Sequence, residues 1–595
     1  MYISTFTTLD TALSGIEAAQ EEMDTTGENI SNANTPDYEE QVVNVTASMS
    51  LSIAGSGANG AMQLGEGVTA DSITNASNPY LDAAWRQANA GASAATTAQG
   101  YLNQIQDALG SVTSGSGIDK QLQTFWSDWS TLSANPTSAA AQQAVVDDGE
   151  TLAQSFNSLS AQINGPDPAN PTAGANSASV LGQVNTQYQA IMAGPSGSGP
   201  SGGTVYNTAY QIASLNDQIV RAQASGQSAN SLIDERNQAL DTLSGLGNVQ
   251  TQANSDGSVT VYFGGVTGSG NELVGDPASA TSNGVTPLGD NFGSYASSSG
   301  TAASGWVAAF QNQYATAGTA GQTAAQLGNQ VGGTLGALIG LAGYSSSAGG
   351  GAFGSLGAPV MNASGDTVYD SPQAATAGGT IATVSASLDS VATKLINEVN
   401  NPSVSGGGTE TSTNAAPVSG NGQTGAISLL ADFFVLTPSS SAAGAAASIS
   451  VSSSLVQAAA QGITPGTFST GSQDPGGNGV SNVQVSTSGT SYAGSYSSDN
   501  DVARDEAANS GGGADTAYAS FVQQVGSLVQ GANDAQSTQS ALQTQVTSQR
   551  DSAEGVDLSQ EMANLITEQQ SYQASAKVMN AFSTVMDSLM SIVSQ

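Results

Sequence analysis

Residues 556–593, VDLSQEMANLITEQQSYQASAKVMNAFSTVMDSLMSIV, contain neither glycine nor proline. Within them Leu558, Met562, Leu565, Gln569, Tyr572, Ala576, Met579, Ser583, Met586, Met590 and Val593 recur at steps of three and four. That period predicts one long helix with a narrow apolar seam. Residues 1–35 repeat it with Phe6, Leu9, Leu13, Ile16, Gln20, Met23, Gly27 and Ile30, and Thr8 or Asp10 is placed to cap the start. Ordering a backbone costs roughly 1–2 kcal/mol per residue, so one stripe on a lone helix does not hold it. Neither stretch has a partner nearby in sequence. Pairing them brings the two ends together as a coiled-coil arm. With Gln20, Gly27 and Gln569 in the seam the arm is marginal alone, and packing against neighbouring copies would complete its burial. Both ends are therefore expected to be poorly ordered in the free subunit and to fold on assembly. The competing expectation is that both helices join a bundle formed by the middle of the chain.

The chemistry available is narrow. The 595 residues include no cysteine and no histidine. Disulfides, thiol nucleophiles, imidazole bases and zinc fingers are excluded. Eight basic residues face 46 acidic ones, a formal charge of −38, which argues against nucleic acid and against anionic membrane surfaces. Only 9% of residues are charged, so the surface must be Ser, Thr, Asn, Gln and Gly, as on an extracellular protein. The start has no basic segment and no continuous apolar run, so no cleaved signal peptide is expected. No stretch approaches the roughly 18 apolar residues of a membrane span. Subunits this acidic repel one another, and salt or acid should favour their association.

The expected fold is mainly α with a β-rich insertion, in a nested plan. Residues 1–75 form an N-terminal axial arm. Residues 76–400 form the first part of a helical bundle, with a β-hairpin near 249–264 signalled by Asp256-Gly257, and a Gly/Ser-rich insertion at 267–330. Residues 401–504 form a small, Gly/Ser-rich outer β domain, 505–552 a return helix of the bundle, and 553–595 the C-terminal coiled-coil segment. GSGANGAMQLGEGV and residues 165–203 are expected to be loops. Phe125, Trp126 and Trp129 are expected in the bundle core, the remote alternative being an exposed carbohydrate platform. DDGE (147–150) and NSDGS (254–258) lack the ligand spacing of a calcium loop and read as a helix surface and a turn. GGGAFGSLG lacks the strand, helix and lysine of a phosphate cradle. No catalytic, cofactor or metal-ligating residues are assigned.

ALSGIEAAQ with NISNANTPDYEEQ near the N-terminus, and EMANLITEQQSYQASAKVM near the C-terminus, resemble the paired terminal motifs of bacterial flagellar rod, hook and hook-associated proteins. The interior stretches NPYLDAAWRQANA, FWSDWSTLSANPTSAAAQQAV and LIDERNQALDTLSGLGNVQTQANSDGSVTVY are similar to the hook-associated members. Asp37 and Glu39-Glu40 depart from the family, which usually carries a glycine and an arginine around this turn. The resemblance implies a non-catalytic subunit, exported unfolded and without a cleaved signal, that polymerises in a ring-like zone between hook and filament. It implies as partners other copies of the chain, hook protein, the second junction protein, the export apparatus and an export chaperone. It implies an extracellular place on the flagellum. The assembly interface then comprises the seam residues Phe6, Leu9, Leu13, Ile16, Met23, Ile30, Leu558, Met562, Leu565, Tyr572, Ala576, Met579, Met586 and Met590, with Asn32, Asn34 and Tyr38 of the turn. Methionines in such a seam are adaptable filler between subunits at unequal spacings. The alternatives are another axial subunit, a surface adhesin, or remotely a secreted glycoside hydrolase using two carboxylates.

Overall fold

A computed structural model describes residues 5–35, 38–48, 51–53, 62–64, 67–110, 117–134, 138–165, 178–192, 203–267, 272–275, 322–343, 378–400, 433–436, 444–453, 456, 468–472, 480–485 and 513–593. The protein is mainly α-helical, with short antiparallel strand pairs. Helix α1 is Thr5–Asn32. It leads to β1 (Gln41–Ala47), which pairs antiparallel with β4 (Val68–Asn75), the register shifting between Asn44 and Val45. β2 (Leu51–Ile53) pairs with β3 (Met62–Leu64).

The bundle begins with α2 (Pro79–Ala108), where Asn78 caps the first turn and proline occupies the start. Its later helices are α3 (Ile118–Ala134), α4 (Ala139–Asn164), α5 (Val180–Met192), α6 (Thr204–Ala224) and α7 (Asn230–Leu246). The hairpin β5 (Val249–Ala253) and β6 (Val259–Phe263) follows. Helices α8 (Ala324–Val331), α9 (Gly333–Ala342) and α10 (Thr380–Asn400) come next. Then come β7 (Phe434–Leu436), the short α11 (Ala445–Ser448), β8 (Ile449–Val451) paired with β7, and the hairpin β9 (Phe468–Ser472) with β10 (Val480–Val485). The chain closes with α12 (Ala514–Glu554) and α13 (Leu558–Val593).

One continuous core runs from Leu102 on α2 to Ala532 on α12. Its densest part is aromatic: Phe125, Trp126 and Trp129 are buried, and Phe125 lies 5.7 and 5.6 Å, centroid to centroid, from Phe433 and Phe434. The carbohydrate platform is thereby overturned, since buried rings cannot offer a face to a ligand. The terminal helices contribute no residue to this core. They pack on each other instead, and α1 also meets the β1–β4 ribbon.

Helix α12 changes character along its length. Ala514, Tyr518, Phe521, Val525, Val529 and Ala532 are buried at three- and four-residue steps, so its first half completes the core. Its second half runs antiparallel to α2 through a polar ladder. Gln99 donates to Asn533 at 2.8 Å, Gln543 to Asn89 at 2.9 Å and the Trp85 indole to Thr547 at 2.9 Å. Each advance along α2 is matched by an equal retreat along α12, so the two helices form one stem leading out of the bundle to the arm.

Several local expectations need correction. Helix α1 already includes Thr5, so neither Thr8 nor Asp10 caps it. Met62–Leu64, expected in a loop, is a strand because β2 offers it a ladder. The expected loop at 165–203 contains α5, whose Val184, Tyr188 and Ile191 enter the core. The Gly/Ser-rich stretch 267–330 runs into α8, and Leu273 and Val274 hydrogen-bond with Val261 of β6. The outer domain expected at 401–504 also begins too early. Phe433, Phe434, Ile449 and Val451 sit in the bundle core, because an aromatic pair gains more by burial than any surrounding Gly/Ser composition opposes. GGGAFGSLG lies outside the described residues, as does Asp37.

Candidate assembly interface

The arm is built from small residues on α1 and mixed residues on α13. Ala12, Ala19 and Thr26, seven apart, are buried on α1, and a Cβ added at Gly15 would lie 3.0 Å from Ser575 Oγ. Thr26 Oγ1 donates to Glu568 Oε1 at 3.2 Å. Gly15 meets Ser575 while Thr26 meets Glu568, so the helices are antiparallel. The seam on α1 lies one residue before the expected Leu13, Gln20 and Gly27. α1 is packed from two sides, and small residues let α13 and the ribbon approach together. On the ribbon side, the Val68 N–H donates to Ser14 Oγ at 3.3 Å. Gly67 sits there at φ +104°, where a Cβ would lie 2.1 Å from that oxygen, so glycine is required for both backbone and space.

The expected seam residues divide into two groups. Leu9, Ile16, Met23 and Ile30 on α1, and Leu565, Ala576, Met579 and Met586 on α13, are half-buried. Leu13 is 43% exposed, Met562 59% and Met590 69%, and Leu558 and Tyr572 are also exposed. Phe6 lies on α1, with its side chain outside the described ones. Of the thirteen large apolar side chains exposed among the described residues, seven lie on α13. Leu558, Met562 and Ile566 step by four along one flank of the half-buried stripe. Val578 and Val585, seven apart, mark the other flank. An intramolecular pair covers the middle of this face and leaves both flanks bare.

The turn after α1 is held by Asn29, which the sequence reading did not single out. Asn29 is buried; its Nδ2 donates to the Gln41 carbonyl at 2.9 Å, and its Oδ1 accepts from the Gln41 N–H and the Tyr38 hydroxyl, both at 3.0 Å. One side chain thus fastens the start of β1 to the helix. Its only signal was its place at the head of the NISNANTPDYEEQ stretch. Burial, followed by the charges of Glu28 and Asp234, pushes the Tyr38 hydroxyl up to about 12, which keeps it a donor. Asn32 is half-buried and Asn34 exposed.

Where arm meets stem, acidic groups gather. Glu39 is buried and its Oε1 accepts from Asn237 at 3.1 Å. The Glu40 N–H donates to the Glu554 carbonyl at 2.8 Å, and the Asn78 N–H donates to Glu554 Oε1 at 2.7 Å. Asp241 on α7 accepts from Arg86 and Arg550, each at 2.7 Å. The Arg550 guanidinium also lies 4.6 Å from the Trp85 ring centre. Burial raises the carboxyls of Glu39, Glu40 and Asp82, and lifts Glu554 and Asp234 to about 7. Asp234 also accepts from Asn75 of β4. Glu22 and Glu568 along the arm are likewise raised by burial. No helix among the described residues is long and apolar enough to cross a membrane.

Comparison with known families matches this architecture piece by piece. A family described as the flagellar hook-associated protein FlgK helical domain matches residues 102–192 and 203–416, just over half of the chain. The C-terminal region of the flagellar basal body rod FlgEFG proteins matches 547–592, and the flagella basal body rod protein family matches 9–38. The chain is 27% identical over 255 residues to flagellar hook-associated protein 1 of Bacillus subtilis, covering 43% of this chain and 45% of that protein. It is 28% identical over 255 residues to the protein of the same name from Escherichia coli, covering 42% and 41%. Against that of Salmonella typhimurium it is 27% identical over 249 residues, covering 42% and 39%. The chain thus spans less than half the length of the curated relatives it matches.

Proposed function

The chain belongs to the flagellar hook-associated protein FlgK family, and from that premise we propose that it is a structural subunit of the bacterial flagellum that polymerises at the distal end of the hook, joining hook to filament. The observation that carries this reading is the pair of apolar flanks on α13. Exposed apolar surface on both sides of an already paired helix suits a lattice in which each arm is wedged between others. Other copies of the chain fill those flanks. Hook protein and the second junction protein meet the two ends of the ring. The export apparatus, with a chaperone, delivers the chain unfolded and without a cleaved signal, to the outside of the cell. Its work is mechanical rather than catalytic.

The arm, residues 1–75 with 553–595, and the bundle with its outer segment are separate parts in this reading. The arm is marginal in a free subunit and is completed by its neighbours. Deleting residues 1–35 or 556–595 is expected to abolish polymerisation while leaving a folded, helical bundle. Cells lacking the protein are expected to keep their hooks and shed filaments into the medium, as seen by electron microscopy. Filaments firmly attached in such cells would overturn the junction role. Amide exchange on the free subunit, with both arms as protected as the bundle core, would overturn completion on assembly.

A further inference from the structure

Three carboxylates from distant parts of the sequence meet where the arm joins the stem. Glu39 follows α1, Asp82 lies in the first turn of α2 and Glu554 ends α12. They are 7%, 5% and 3% exposed, and one oxygen from each lies within 4.8 Å of the others. One oxygen of each is already held by a neighbour. Asn237 donates to Glu39 Oε1, Ser77 to Asp82 Oδ2 at 3.3 Å, and the Asn78 N–H to Glu554 Oε1. Glu39 Oε2 is buried without a hydrogen-bond partner.

Nearby positive charge does not balance the group. Asp241 takes a hydrogen bond from both Arg86 and Arg550, Arg550 Nε reaches Glu554 Oε2 at 3.8 Å, and Arg236 and Asp234 both interact with Glu39. With every group ionised, Glu39, Asp82, Asp234, Asp241 and Glu554 against Arg86, Arg236 and Arg550 leave two negative charges in a buried place, which is costly unless compensated. We propose that Glu39, Asp82 and Glu554 form a site for one calcium-like divalent cation that ties the arm to the stem. Oxygen donors alone suit a hard cation, and two oxygens each 2.3–2.6 Å from one ion can stand up to about 5 Å apart. The partners on the remaining oxygens orient the carboxylates, as outer neighbours of a metal site do. Because the ion would link the end of α12 to the segment after α1 and to the start of α2, it would stiffen the joint. This site does not depend on the junction role, since it lies within one chain.

The test is calorimetric titration of the full-length, chelator-treated subunit with calcium, in physiological salt and excess magnesium, with a thermal melt alongside. The expected result is one saturable calcium per chain and a raised melting temperature. Glu39→Gln and Asp82→Asn should each weaken binding at least about tenfold, while Glu17→Gln, an exposed acid on α1, should leave it unchanged. Circular dichroism checks that each variant is folded, and the unmutated protein decides the question if one is not. Absence of saturable binding by the unmutated protein overturns the site. So does equal binding by all three variants, which would place calcium on the general acidic surface. So does a melting temperature that Glu39→Gln raises while that of the unmutated protein shows no response to calcium, which would mean that protons neutralise the cluster.

Discussion

Glu554 and Asn78 stand 476 residues apart and are joined by a hydrogen bond of 2.7 Å, from the Asn78 N–H to Glu554 Oε1. Asn78 in turn caps α2 through its own side chain. The two helices of the stem are therefore latched where the arm begins. Glu554→Ala removes the acceptor from the N–H of an exposed residue, at a cost of about 0.5–1.5 kcal/mol. Glu554→Gln keeps an acceptor and is expected to cost less. Hydrogen exchange at the first turn of α2 should rise in the alanine variant and stay near the parent in the other.

Asn29→Ala breaks three hydrogen bonds at once, to both backbone groups of Gln41 and to Tyr38. It is expected to loosen the β1–β4 ribbon by about 1–3 kcal/mol. The check is proteolysis and amide exchange in residues 38–47, with exchange in the bundle core unchanged.

Gly15→Leu drives a branched side chain into Ser575 and should part α1 from α13. Exchange should quicken along both arm helices, and polymerisation should fall. The melting of the bundle should not change, because neither arm helix enters its core. A shift in bundle melting would refute that separation.

Asp234 gives a pH dependence. Its carboxyl is raised to about 7, first by burial and then by the charges of Glu39 and Glu28, against about 3.9 in an unfolded chain. The folded state therefore holds the extra proton between those values. The resulting stability is complete below about pH 4 and lost as pH rises through about 7, at up to about 1.4 kcal/mol per pH unit. Urea midpoints with chelator present should fall from pH 5 to pH 8, and Asp234→Asn should flatten part of that slope.

Phe433→Ala tests where the bundle ends. The ring packs on Phe125 and Trp129, so its loss should cost about 3–5 kcal/mol and lower the main melting transition. A substitution in a separate outer domain would leave that transition alone.

Phe125, Trp126, Trp129 and Leu132 marked the core because four apolar residues fell on one helical face. The terminal seams marked the arm for the same reason. Asp256-Gly257 marked the hairpin through its turn chemistry, with Asp256 Oδ1 accepting from the Ser258 N–H at 3.0 Å. α5 was hidden because Gly and Ser on either side diluted its pattern, while Phe434–Leu436 and Ile449–Val451 were legible as short β segments but not as part of the bundle core. Asn29, Glu39, Asp82 and Glu554 were not legible as a group, since nothing local links residues so far apart.

Periodicity alone determined that this chain has two helical ends made to pair, and composition alone removed cysteine and histidine chemistry, while the acidic charge argued against nucleic acid. A local pattern of side chains is enough for that, because it sets which face of a helix must be covered. Tertiary structure alone decided which face of α13 receives α1, which apolar flanks stay bare, and which carboxylates are shut away together. Those outcomes depend on how closely backbones approach and on what lies beside each group in space, and distance along the chain carries neither.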